Sequence, residues 1–185
     1  MADTTGSQQD AKRRFLAEGR YAYFDALNAV NRFQKYVYEI ASRMLRENIP
    51  GICAAMRIPH DDKIAPYFHS VPGLTGSEEN IAWTSLGAGI WLPGPGITMC
   101  LILHFSEEED PSINFCHICQ NLNKFNKVSD LFADNYPGFA VYRDAKDKEV
   151  SFWKRFEKEA DLEEQFAAVV GATIEAWSGT AGWSS

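Results

Sequence analysis

Residues 81–120 read IAWTSLGAGIWL, PGPG, ITMCLILHF, SEEEDP, SINFCHICQ. Three apolar runs are separated by two short segments of turn-forming residues. Pro93-Gly94-Pro95-Gly96 makes one turn, and Ser106-Glu107-Glu108-Glu109-Asp110-Pro111 makes the other. Runs joined so briefly pair with their sequence neighbours, so the stretch predicts a meander of three antiparallel strands over 81–92, 97–105 and 112–120.

Toward the N-terminus the period changes. Tyr23, Leu27, Val30, Val37, Ile40 and Met44 recur at spacings of three, four and seven and draw one stripe along a helix. The pattern predicts a helix over 20–47, about 42 Å long at about 1.5 Å per residue. Asn48 and Pro50-Gly51 are expected to end it; continuity through Gly19 is left open. Ile52, Ala54, Met56 and Ile58 alternate, which predicts a strand over 52–58. Residues 59–80, with three prolines and two glycines, read as loop.

Beyond the meander, Leu122, Phe125, Val128, Leu131, Phe132 and Tyr136 predict a short helix over 122–136. Two strands are expected over 138–143 and 150–156. A last helix is expected over 159–177, lined by Leu162, Phe166, Val169, Val170, Thr173 and Trp177, with acids in its first turns where the macrodipole favours them. The fold class is therefore α+β. A mostly antiparallel sheet of about five to six strands is packed by a long N-terminal helix, a short middle helix and a C-terminal helix. Residues 11–178 read as one domain, with a disordered tail over 1–10 and a flexible one over 179–185.

Composition narrows the function. A chain of 185 residues with 45% apolar and 13% aromatic side chains can bury a core of its own. No apolar run approaches the ~18 residues that span a bilayer. The N-terminal MADTTGSQQDAKRR lacks an apolar signal segment. Four cysteines without an export signal are expected to be reduced thiols in a cytoplasmic protein. The net charge is −7, but residues 12–48 carry eight basic and four acidic residues, a balance of +4, which leaves −11 for the rest. Direct nucleic-acid binding is disfavoured by that balance, and a basic protein partner is accommodated by it.

The Cys116-His117-Ile118-Cys119 spacing resembles zinc and thiol–disulfide motifs. It falls inside an apolar strand, where residues three apart face opposite sides. Zinc needs convergent ligands from a turn, and a redox CxxC needs a helix N-terminus. Buried core cysteines are the expectation. If the 106–111 turn is centred near residue 109, Cys100 faces Ile118 and His104 faces Asn114. Convergence of Cys100, His104 and Cys116 is not fixed by spacing alone.

Other chemistry is sparse. His60-Asp61-Asp62, with His69 nine residues on, could form an acid/base pair in the 59–80 loop. The central strands hold no acid and no lysine, which argues against two-metal phosphodiester cleavage. Proline lacks the N–H groups a phosphate loop needs, and a strand follows Gly96, so the PGPG turn is no such loop. No serine-hydrolase elbow is present. No catalytic residue, cofactor or metal is assigned.

Two acidic clusters remain, Glu107-Glu108-Glu109-Asp110 at the hairpin tip and Glu157, Glu159, Asp161, Glu163 and Glu164 at the start of the last helix. They would steer a basic protein. Tyr21, Tyr36 and Tyr38 lie off the stripe of the first helix and suit either an interface or contact with the 59–80 loop. The expected function is that of an inhibitor, immunity-type or accessory protein, presenting an acidic face to a basic protein partner, with no membrane contact. One alternative is an enzyme with a diffuse site at His60, Asp61 and His69. The other is a homodimeric structural protein joined through its first helix.

Overall fold

The computed structural model describes residues 4–71, 83–106, 110–132 and 135–183. The chain falls into two compact units, Met1–Tyr36 and Val37–Ser185. Helix α1 (Thr4–Met56) is continuous, Gly19 included, and contributes to both.

In the second unit α1 runs past Pro50 to Met56, and the strand predicted over 52–58 is not formed. Ile49, Ile52, Cys53 and Met56 are buried at helical spacing, whereas Ala54, part of the alternating set, is exposed. Burial of those side chains outweighs the ~3 kcal/mol that a proline costs inside a helix. The helix ends in a Schellman motif. Arg57 takes the left-handed conformation (φ 56°), Ile58 N donates to Cys53 O (2.9 Å), and Arg57 N donates to Ala54 O (3.0 Å). The Arg57 guanidinium then donates to the carbonyls of Ala181 and Thr180, and Trp183 N donates to Met56 O (2.7 Å).

The meander is present as β2 (Trp83–Leu92), β3 (Ile97–Ser106) and β4 (Ser112–Cys119), after an edge strand β1 (Tyr67–Val71) inside the expected loop. Pro66 and Pro72 flank β1 closely and mask its five residues as loop. The middle helix α2 (Leu122–Leu131) is shorter than predicted; Asn121 caps it, accepting from Lys124 N (3.0 Å), and Tyr136 lies in the two-residue strand β5 (Asn135–Tyr136). Strands β6 (Phe139–Asp144) and β7 (Glu149–Arg155) precede helix α3 (Leu162–Ser178). The antiparallel sheet has the order β1-β2-β3-β4-β7-β6-β5, six strands and the short β5 at one edge. The fold is α+β, with three helices among the described residues.

Strand alternation sorts the sheet into two faces. One carries Leu86, Ala88, Ile90 and Leu92 of β2, Ile97, Met99, Leu101 and Leu103 of β3, Ile113 and Phe115 of β4, and Val150 and Phe152 of β7. These form one buried cluster with Val37, Leu45 and Ile52 of α1 and Phe166, Val170 and Trp177 of α3. His117 is wholly buried on that face. Its Nε2 accepts from Trp177 Nε1 (3.0 Å), so Nδ1 carries the proton donated to Val150 O (3.0 Å). Burial pushes its pKa down to about 4, and the imidazole stays neutral.

Candidate functional site

Among the described residues, three of the predicted acids are engaged locally: Asp110, Asp161 and Glu163. Glu107, Glu108 and Glu109 lie outside the described residues. Asp110 pairs with Arg155 at 2.5 Å. Asp161 is the N-cap of α3, its carboxylate accepting from Glu163 N (2.7 Å) and Glu164 N (3.2 Å). Glu163 is ion-paired with Arg43 of α1. Glu159 and Glu164 are exposed. Much of this charge therefore does local work, because free N–H groups at a helix start need acceptors. Asp161→Ala is expected to cost about 1 kcal/mol of unfolding free energy, read by urea denaturation, with Asp161→Asn recovering most of it.

The three groups of the 59–80 reading go to different partners. His60 Nδ1 lies 3.7 Å from Asp62 Oδ1. Asp61 accepts from Lys63 N (2.9 Å) and closes a local turn. His69 is on β1, its Nδ1 3.7 Å from Cys100 Sγ, and burial lowers its pKa.

His69 and Cys100 belong to the second face of the sheet, laid out in rows by the strand register. One row runs Tyr67, Gly89, Cys100, Cys116, Ser151, Tyr142. The next runs His69, Gly87, Ile102, Asn114, Trp153, Ala140. The observed register corrects the expected one: Cys100 faces Cys116 and His104 faces Ser112, because the hairpin is centred one residue earlier than assumed. His104 instead meets Ser85 Oγ at 3.0 Å, on the same face. Four residues separate it from Cys100 along β3, about 13 Å at about 3.3 Å per residue, so the trio does not converge. Cys116 and Cys119 point to opposite faces, in separate buried clusters.

All four cysteines are free and buried. Burial pushes the Cys100 thiol up to about 12, Cys119 to about 11 and Cys116 well above its ordinary value. Cys53 is shifted the same way, so all four are thiols at neutral pH rather than the thiolates that attack or bind metal. Among the described residues no group of three or more His, Cys, Asp or Glu side chains is placed to hold a metal ion. No helix there is long and apolar enough to cross a membrane.

The largest departure from expectation concerns the apolar stripe of α1. Val37, Ile40 and Met44 are buried, while Tyr23, Leu27 and Val30 are 64%, 41% and 51% exposed. Phe15, Leu16 and Phe24 are exposed as well, at 75%, 57% and 50%. At about 100° per residue, these six fall within one half of the helix surface. Of the three tyrosines off the stripe, Tyr38 packs edge-on against Phe68 (5.3 Å), in the region 59–80, whereas Tyr21 and Tyr36 are exposed. The stripe's two halves carry a sequence signal that separates them. Arg13 and Arg20 sit on its line, fourteen and seven residues before Leu27, and no charge interrupts the buried line through Val37, Ala41, Met44 and Leu45. A stripe that admits arginine is not core.

No family model matches the chain, and no curated protein or solved structure was found to resemble it.

Proposed function

We propose that the protein acts by binding another protein, as an inhibitor, immunity-type or accessory domain, and that α1 over residues 12–36 is its principal contact surface. The carrying observation is the exposed half-surface of Phe15, Leu16, Tyr23, Phe24, Leu27 and Val30. From the 150–250 Å² an aromatic side chain can bury, these six expose on the order of 600 Å², at the upper limit of the largest apolar patch on a typical monomer and near the ~800 Å² each partner gives to a standard interface. Helices in water owe most of their stability to packing of such a face.

The test is affinity capture from the native host's lysate with the full chain, against a Tyr23→Ser, Leu27→Ser variant, read by quantitative mass spectrometry. One stoichiometric protein captured by the parent and depleted in the variant is the expected result. If neither chain enriches any protein, at low or high salt, the binding reading is wrong.

A second contact is favoured by the exposure of Glu159 and Glu164 beside the start of α3. It would take a basic partner. Reversal of both charges would weaken such a complex chiefly at low salt, through the association rate.

A further inference from the structure

Resting on the binding reading above, we propose that residues 12–36 of α1 dock lengthwise in the apolar groove of an acidic partner protein, whose carboxylates pair with Arg13 and Arg20. Residues 12–36 hold six basic and two acidic side chains. Arg13, Arg20 and Leu27 are seven residues apart, hence on nearly one line of the helix, with Leu16, Tyr23 and Phe24 beside that line. Glu18 and Asp25 are also seven apart, and Asp25 lies about 200° round from Leu27, on the opposite side. The apolar face therefore carries two guanidinium groups and no carboxylate of its own.

Three kinds of surface could cover such a face. A second copy of this helix would set arginine against a strand of residues with the same +4 balance, and neither copy offers a carboxylate on the contacting side. A bilayer surface accepts amphipathic helices whose cations line the polar side; here Arg20 lies among Leu16, Tyr23 and Phe24. An acidic groove satisfies both features. Tyr, Phe and Arg are the residues enriched at protein interfaces, guanidinium groups pair bidentately with carboxylates, and apolar anchors at three- and four-residue spacing are how helices seat in grooves.

The experiment places the photo-crosslinker p-benzoylphenylalanine at Tyr23, and separately at Glu164, in the full chain produced in its native cells. The expected result is an adduct from Tyr23 with a different protein, its cross-linked peptide rich in Asp and Glu. Arg20→Glu should reduce that adduct about ten-fold or more, and Arg20→Lys much less. Circular dichroism would show that the helix content of both variants is kept. Three outcomes overturn the proposal: an adduct of twice 20.8 kDa, meaning a second copy; flotation of the chain with phosphatidylcholine–phosphatidylserine vesicles and no protein adduct, meaning a lipid surface; or a protein adduct from Glu164 alone, meaning that the partner binds elsewhere. In that last case the binding function survives and only the helix docking fails. Absence of a protein adduct from either position removes both.

Discussion

Trp177→Ala is expected to lower the unfolding free energy by about 4 kcal/mol, as large-to-small changes at buried tryptophans do. Trp177 is 1% exposed at the C-terminal end of α3. Its ring meets Phe132 edge-on at 5.1 Å and His117 at 5.9 Å, so truncation opens a void lined by aromatic groups from α2's end and from β4. Loss of the indole N–H also leaves His117 Nε2 without its donor. Trp177→Phe separates the two effects. It keeps most of the packing, and the unsatisfied buried acceptor alone should cost about 1–3 kcal/mol. Urea denaturation of both variants, with unchanged slopes, reads the difference. A Trp177→Ala loss below about 1 kcal/mol, well under the usual range for a buried tryptophan, would mean that this packing does not form.

The stability of the fold should fall by on the order of 3 kcal/mol as the pH drops from about 6.5 to about 4, through His117. In the unfolded chain this imidazole takes up a proton near pH 6.5. In the folded chain it stays neutral down to about 4, because burial penalises the imidazolium and Trp177 already occupies Nε2. Over that window the unfolded state binds more protons, so acid favours unfolding. Above pH 6.5 both states are neutral at this site and the dependence vanishes. The rings of Phe115, Phe132, Phe152 and Trp177 pack around it. His69, also lowered by burial, adds to the same slope. Urea denaturation across pH 4–8 measures the effect, and His117→Gln should flatten much of it. A parent protein equally stable at pH 4.5 and 7 would contradict the buried, neutral assignment.

These two effects centre on a histidine that sequence reasoning met only as the second residue of a CxxC spacing. His117, Trp177 and Phe132 lie 60 and 15 residues apart along the chain, in a strand, a helix and the end of a second helix. Nothing local marks them as partners. The same limit applies to Cys100 and Cys116, whose pairing depends on where a turn is centred, and a one-residue change exchanges every cross-strand neighbour. The acids show it from the other side. Glu163 and Asp110 read as free charge in the sequence, and only the fold brings Arg43 and Arg155 to them.

Local periodicity was sufficient for much of the architecture. Alternation with Pro-Gly and acidic turns set β2, β3 and β4 and their antiparallel order, and the 3.6-residue repeat set α3 and the body of α1, because each pattern is a direct image of which side chains can share one face. Tertiary structure decided the rest. It carried α1 through Pro50, since a row of buried side chains outweighs one missing hydrogen bond. It placed β1 on the sheet edge between two prolines. Above all it divided one continuous apolar stripe into a buried half beginning at Val37 and an exposed half before it. A helical period states that a face is apolar; whether that face meets its own chain or another is settled by what the rest of the fold has left to cover it.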